Sequence, residues 1–172
     1  LFGILLVLTL AEASRQRKAL EVAVREQRER AAYVAGELEA AKRIQVGFLP
    51  RAGTLADEPR VEIAASMTPA REVGGDLYDY FRLDGDRVFF LVGDVAGKGL
   101  SASLFMAVGK ALYKSITMRS PQATINDLMQ AANEEVSRDN AEMFFITAFA
   151  GILHLEAGAP EYYHAGDDDP AV

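Results

Sequence analysis

Two glycine-rich acidic turns on either side of a short apolar hairpin constrain this chain more than any other feature. The first turn ends in Gly75-Asp76, and the second begins with Gly93-Asp94-Val95. Residues 77–83 and 87–92 lie between them, are rich in aromatic and branched side chains, and are separated by Asp84-Gly85-Asp86. This pattern predicts two antiparallel strands joined by a tight turn. Asp76 at the start of one strand should then lie close to Asp94 at the end of the other.

Two neighbouring carboxylates limit the chemistry of such a site. They repel each other unless a proton or a cation lies between them. Hard divalent ions such as Mg²⁺ and Mn²⁺ take oxygen ligands of this kind. The alternative is that Asp76 caps a turn and Asp94 closes a strand, as turn residues commonly do. A phosphate-binding loop is disfavoured, because only three residues separate Gly93 from Gly97-Lys98 and Gly99 occupies the position that needs Ser or Thr.

Composition excludes several classes of function. The chain has 172 residues, half of them hydrophobic, which is enough for one domain with a core and an appendage. With 18 Lys and Arg against 25 Asp and Glu, the net charge of -7 argues against a nucleic-acid partner. The absence of cysteine excludes disulfides, thiolate-bound zinc and a cysteine nucleophile, and it fits a cytoplasmic domain. The sequence is interpreted as a fragment of a longer protein.

The first eleven residues are almost wholly apolar. At ~1.5 Å per residue they cover about half of a bilayer's ~30 Å core. Basic residues follow at positions 15, 17 and 18, which is typical of the cytoplasmic end of a membrane span. Residues 1–11 are therefore predicted to end a transmembrane helix, with the protein at the cell inner membrane and the residues that follow the helix in the cytoplasm. A signal peptide and the end of an ordinary buried helix are the alternatives.

Residues 12–49 are predicted to form a long helix, because they contain no proline. A heptad-like seam of steps of four and three runs along it, which indicates a coiled-coil homodimer. The seam consists of Leu20, Val24, Gln27, Ala31, Val34, Leu38, Ala41, Gln45 and Phe48. The two glutamines weaken it, so a single amphipathic helix lying on its own domain is the alternative.

The remaining residues, 50–172, are predicted to form one globular domain of the α+β class. Helical or alternating patterns predict a strand at 61–67, helices at 101–118 and 124–137, and a hairpin of strands at 144–155 and 161–164. The first of these helices is expected to pack on the sheet through an apolar stripe. That stripe consists of Leu100, Leu104, Ala107, Val108, Ala111 and Leu112. Strands and helices in separate blocks favour α+β over an alternating parallel sheet.

Three motifs resemble one known family. They are Val73-Gly74-Gly75-Asp76-Leu77-Tyr78-Asp79, Gly93-Asp94-Val95-Ala96-Gly97-Lys98-Gly99 and residues 102–107. They are similar to the signature blocks of the SpoIIE and RsbU branch of metal-dependent serine/threonine phosphatases, the type 2C-like PPM enzymes. The resemblance covers roughly residues 40–166. It implies a PPM-type α/β/β/α sandwich of mostly antiparallel sheets, C-terminally incomplete here and preceded by a long N-terminal helix.

The same resemblance implies a site and an activity. Asp76, Asp94 and the backbone carbonyl of Val95 match family ligands for Mn²⁺ or Mg²⁺, with two ions in the complete domain. Asp76 and Asp94 would act in catalysis through a metal-bound water that attacks a phosphoserine or phosphothreonine. The implied substrate is a small phosphorylated regulatory protein of the anti-sigma-factor antagonist type. A catalytically inactive, phosphatase-like binding module is the alternative, and acidic motifs expected downstream of Val172 would discriminate between the two.

Other conspicuous side chains are given structural roles. Asp79 is expected to orient its neighbours rather than to bind metal. The acidic triplet 167–169 is interpreted as a solvated turn, and His154 as an ordinary strand residue. The helices at 101–118 and 124–137 resemble the elements through which such phosphatases are switched.

Overall fold

The computed structural model describes residues 2–51, 53–68, 73–138 and 140–165. The chain divides into two compact units, Leu1–Ala40 and Ala41–Val172. The elements in chain order are α1 (Phe2–Phe48), β1 (Leu77–Arg82), β2 (Arg87–Val95), α2 (Gly99–Arg119), α3 (Ile125–Arg138), β3 (Ile146–His154) and β4 (Ala159–Ala165). This content confirms the predicted α+β class.

Helix α1 confirms the prediction of one long N-terminal helix. Its side chains from residue 10 to residue 37 are exposed, including the seam positions Leu20, Val24 and Val34. Salt bridges between residues one helical turn apart, Arg17 with Glu21 and Arg25 with Glu29, stabilise this exposed part of the helix. Among the helices that the structure describes, none combines the length and apolarity needed to cross a membrane.

The described strands form one antiparallel sheet in the order β1-β2-β3-β4. The predicted hairpin between β1 and β2 is confirmed, with Leu77 paired with Gly93. Its turn is fixed by the Asp84 side chain, whose Oδ1 accepts hydrogen bonds from the backbone N–H groups of Asp86 and Arg87 at 2.9 and 3.0 Å. Strand β2 runs through Val95, so Asp94 lies within the strand rather than just beyond it.

Helices α2 and α3 cover one face of this sheet and form the main core with it. That core consists of Leu77, Phe81, Phe89, Leu91, Val95, Ala102, Met106, Tyr113, Ile125, Leu128, Met129, Ala132, Ala148, Ala150 and Ile152. A smaller cluster holds Leu55, Tyr80, Val88 and Leu155. Within the described part of the chain a single sheet is present, whereas the resemblance implied two.

The prediction that α2 packs on the sheet through its apolar stripe was wrong. Leu100, Leu104 and Val108 are exposed, and the residues facing the core are mostly small or polar. The buried set is Ala102, Ser103, Met106, Gly109, Lys110, Tyr113 and Thr117. Small side chains allow the helix backbone to approach the sheet, and a Cβ at Gly109 would lie 2.5 Å from Cδ1 of Ile146. The close approach of α2 to the sheet therefore favours the observed orientation, in which the apolar stripe does not face the core.

The predicted strand at 61–67 was also wrong. These residues have no regular secondary structure. Val61 and Ile63 pack against the smaller cluster without joining the sheet. Their alternating pattern reflects this side-chain packing, because a strand needs backbone pairing as well as alternation.

Candidate metal centre

The two acidic turns meet at the same end of the β1–β2 hairpin. Leu77, the residue after Asp76, pairs with Gly93, the residue before Asp94. Both carboxylates are exposed to solvent. On the other side of β2, Asp94 pairs with Thr147 of β3, whose Oγ1 donates to the Asp94 backbone carbonyl at 3.3 Å. The sheet therefore brings together the two aspartates that the sequence singled out.

Gly75 makes this close approach possible. A Cβ at that position would lie 2.7 Å from the Val95 carbonyl oxygen and 2.9 Å from Asp94 Oδ1. Real Cβ atoms do not come this close to backbone oxygens. The Gly75 carbonyl also accepts a hydrogen bond from the Val95 N–H at 3.3 Å. The Asp94 carboxylate and the Val95 carbonyl thus face the same small space beside Gly75.

The electrostatics of the pair favour a cation. Desolvation raises the pKa of Asp94, the negative charge of Asp76 raises it further, and a hydrogen bond with Asp76 adds to the effect. A hydrogen bond from the Val95 backbone N–H to the ionised carboxylate of Asp94 acts in the opposite direction and lowers this pKa. The two ionised carboxylates therefore repel each other when no counterion is present. A divalent cation between them would remove this repulsion.

The donor set fits part of a divalent-metal site. Two carboxylates and one carbonyl are hard oxygen ligands suited to Mg²⁺ or Mn²⁺, which usually retain several waters. Among the described residues there is no group of three or more His, Cys, Asp or Glu side chains positioned to hold a metal. Asp76, Asp94 and the Val95 carbonyl would therefore supply three ligands, and the remaining positions would be filled by water or other groups.

A glutamine supports the first acidic turn from the end of α1. Gln45 Nε2 donates to the Gly74 carbonyl at 2.7 Å, and Gln45 Oε1 accepts from the Gly74 N–H at 3.3 Å. The side chain is buried, so it is not available to the heptad seam in which the sequence placed it. A polar residue at an apolar position of the seam was the one sign of this contact before the structure was known.

The second acidic turn is held by the segment that precedes β3. The Ala96 N–H donates to the Phe145 carbonyl at 2.8 Å. Gly97 and Gly99 have φ angles of 125° and 74°, which side chains other than glycine rarely adopt. The ring of Phe144 lies against Gly97, where a Cβ would be 3.1 Å from it. This packing fixes the backbone that follows Asp94.

Asp79 does not belong to the acidic pair. It is 3% exposed and faces α2, where its Oδ2 accepts a 2.5 Å hydrogen bond from Lys110 Nζ. Its Oδ1 accepts the Tyr80 N–H at 3.0 Å. Sequence reasoning missed Lys110. The one available signal was a lysine on the helix that was expected to pack on the sheet containing Asp79.

Two further expectations concern residues away from the pair. His154 lies in β3, with 3.1 Å between its Nε2 and Oε1 of the exposed Glu161. This is the arrangement expected for an ordinary strand residue. The acidic triplet 167–169 lies outside the described residues.

Comparison with known proteins adds independent information. Residues 84–172 match the family described as Stage II sporulation protein E (SpoIIE), a range that includes Asp94 but not Asp76. Protein IcfG of Synechocystis is 29% identical over 157 residues, which cover 77% of this chain and 24% of that protein. Phosphoserine phosphatase RsbU of Bacillus subtilis is 27% identical over 138 residues, covering 78% of this chain and 39% of that protein.

A solved structure shows the same fold. The SiaA-PP2C domain of Pseudomonas aeruginosa superimposes with a TM-score of 0.59 at 18% identity, covering 74% of this chain and 51% of that one. The chain spans about a quarter to two fifths of the length of the curated relatives described above.

Proposed function

This chain belongs to the SpoIIE family, and on that premise we propose that it is a metal-dependent protein phosphatase domain. Its substrate is phosphoserine or phosphothreonine on a small regulatory protein in bacterial signalling, of the anti-sigma-factor antagonist type. The observation that carries the proposal is the grouping of Asp76, Asp94 and the Val95 carbonyl around Gly75. Two relatives, RsbU and RsbP of Bacillus subtilis, are named phosphoserine phosphatases.

The residues of the acidic pair have distinct tasks in this proposal. Asp76 and Asp94 would hold Mn²⁺ or Mg²⁺ by their carboxylates, and the Val95 carbonyl would add a neutral ligand. Bound there, such ions would supply activation of a water and neutralisation of charge on a phosphoryl group. Gly75 keeps the space between the ligands open, and Gln45 fixes the Gly74 backbone on the side of Asp76.

Phosphate release from a phosphoserine protein tests the activity. The full-length protein with Mn²⁺ is expected to release phosphate, and Asp94→Asn is expected to lower turnover by at least 100-fold because it removes a ligand charge. Asp57→Asn is the matched control, since the Asp57 side chain is 77% exposed and outside the site. Equal turnover by wild-type protein and Asp94→Asn would contradict the proposed site.

A binding module without activity is the second candidate. Acidic motifs downstream of Val172 in the full-length protein would favour the enzyme, and their absence there would favour the module. Calorimetric titration with Mn²⁺ separates the two candidates. Metal binding without phosphate release by the full-length protein would support the binding module, and binding with turnover would support the enzyme.

We also propose that residues 12–49 form a homodimeric coiled coil, through the seam positions other than Gln45, whose side chain is bonded to Gly74. Support comes from the exposed seam positions of α1, which leave an apolar stripe uncovered. Sedimentation of wild-type protein and of Val34→Asp/Leu38→Asp checks this: a dimer that becomes a monomer is expected, and a wild-type monomer contradicts it.

The remaining proposals concern location and partners. The apolar residues 1–11 are proposed as an inner-membrane tether, with the catalytic domain in the cytoplasm. No nucleic-acid partner is proposed, because the net charge is -7. Fractionation of cells that express the full-length protein tests the tether, which predicts recovery with the inner membrane.

A further inference from the structure

The sheet holds the two aspartates of the candidate metal centre to different degrees. Asp94 lies within β2 and is paired with Thr147 of β3, so the ladder fixes its backbone. Asp76 lies outside the ladder, because β1 begins at Leu77. The backbone hydrogen bonds of such a turn have to be supplied by other groups. The position of the Asp76 carboxylate therefore depends on the contacts that hold the first acidic turn.

Hydrogen bonds to two consecutive glycines hold this turn. The Gly75 carbonyl accepts the Val95 N–H at 3.3 Å. One residue earlier, Gln45 donates to the Gly74 carbonyl at 2.7 Å and accepts the Gly74 N–H at 3.3 Å. The Asp76 carboxylate lies beside the same residue, since a Cβ placed on Gly74 would be 4.0 Å from Asp76 Oδ2. Gln45 thus fixes the peptide groups directly next to the first proposed ligand.

The burial of Gln45 makes this contact costly to break. Gln45 is 4% exposed, whereas its neighbours Ile44 and Val46 on α1 are 63% and 48% exposed. A carboxamide carries a donor and an acceptor side by side, which matches the C=O and N–H of a single residue. A displacement of Gly74 would leave both of these buried groups unpaired. The end of α1 therefore resists movement of the turn that carries Asp76.

We propose that Gln45 is a positioning residue that sets the metal affinity of the acidic pair, acting through the Gly74 backbone on the Asp76 carboxylate. It does not bind the ion itself. Side chains that hold a metal ligand in place in this way commonly contribute about 10–100-fold to metal affinity. The inference rests on the proposed metal-dependent phosphatase function and deepens it, because it assigns part of the metal affinity to a residue outside the acidic turns.

Calorimetric titration of the full-length protein with Mn²⁺ tests this role. Gln45→Met keeps the length of the side chain and removes both hydrogen bonds, and its Kd for Mn²⁺ is expected to be about tenfold higher than that of wild type. Phosphate release by the variant should fall at low Mn²⁺ and recover at saturating Mn²⁺, because excess ion compensates for lost affinity.

Glu58→Gln is the matched control for a general loss of stability. Glu58 is 7% exposed and accepts from Arg60, which in turn donates to the Gly85 carbonyl at the opposite end of the hairpin. This variant removes a buried interaction of the same domain without touching the first acidic turn. Its Kd for Mn²⁺ is expected to equal that of wild type at a temperature at which both are folded.

Hydrogen exchange of wild-type protein gives a second measurement that needs no variant. If the Gln45 contact favours metal binding, bound metal must favour the contact to the same extent. Saturating Mn²⁺ is therefore expected to slow exchange of the Gly74 amide by about tenfold. The Asp86 amide, which donates to Asp84 Oδ1 at 2.9 Å at the other end of the hairpin, is the control and should not change.

The outcomes separate this inference from the proposed function. Wild-type protein that binds no Mn²⁺ would overturn the proposed metal site, and the role of Gln45 with it. Wild-type binding with an unchanged Kd in Gln45→Met would overturn the role of Gln45 alone. An equal rise of Kd in Glu58→Gln would do the same, because the effect would then be one of general stability. Exchange of the Gly74 amide that is insensitive to Mn²⁺ would also contradict the inference.

Discussion

Removal of the lysine charge beneath β1 should destabilise the domain strongly. Lys110 is 6% exposed and is the nearest cation to Asp79, with 2.5 Å between Nζ and Oδ2. Lys110→Met keeps the length of the side chain and removes its charge. The Asp79 carboxylate would then be buried with one backbone hydrogen bond, from Tyr80, and one more distant cation, Lys114 at 3.7 Å.

The expected cost follows from the burial of the pair. Removal of one partner of a buried ion pair costs about 3–5 kcal/mol, because the other charge is left uncompensated. Lys114 is about half exposed and can move toward Asp79, so the lower end of this range, about 3 kcal/mol, is expected. In a domain of this size that corresponds to a fall in Tm of roughly 6–12 °C.

Urea unfolding followed by tyrosine fluorescence measures this loss, since Tyr33 is the one tyrosine outside residues 41–172. Asp79→Val/Lys110→Met should recover most of the stability, because a well-packed apolar pair often replaces a buried ion pair without loss. Lys114→Met is the control and should cost less than about 1 kcal/mol. A change below 1 kcal/mol in Lys110→Met, or a double variant no more stable than the single one, would refute the reasoning.

Three further predictions concern the acidic turns and the ion pair between Glu58 and Arg60. Gly75→Ala should cost roughly 1–3 kcal/mol in urea unfolding and abolish Mn²⁺ binding in calorimetry, because its Cβ overlaps backbone oxygen; Gly85→Ala, where a Cβ meets nothing within 4 Å, should do neither. Asp76→Asn should lower the pKa of Asp94 in a metal-free carbon NMR titration, since desolvation then acts without the neighbouring charge; an unchanged pKa would contradict the geometry. The side-chain hydrogen bond from Arg60 lowers the pKa of Glu58 from 4.5 to about 2, so its contribution to stability is present above pH 4.5 and is lost as the pH falls toward 2. Glu58→Gln should therefore be less stable than wild type in urea unfolding at pH 7 and equal to it near pH 2; a difference that does not change with pH would contradict this.

The hairpin and the acidic pair were predictable because their signals are local. An Asp-Gly turn between two apolar runs sets the pairing of β1 with β2, and that pairing brings Asp76 and Asp94 together regardless of the rest of the chain. The partners of Asp79 and Gly74 were not predictable, since Lys110 and Gln45 lie 31 and 29 residues away and carry no periodic pattern. The assignment of Asp76, Asp94 and Val95 as metal ligands stays a prediction.

The orientation of α2 follows from the buried ion pair and from the small residues beside it. An apolar stripe would ordinarily face the sheet, but the buried Asp79 needs a cation, and Lys110 supplies one only if its own face of α2 turns inward. Gly109, beside Lys110, lets that face approach Ile146 closely. The same rotation leaves Leu104 and Val108 in solvent. The ion pair beneath β1 and this close approach favour the same orientation of α2, and a helix cannot bury both faces against one sheet, so the apolar stripe faces solvent.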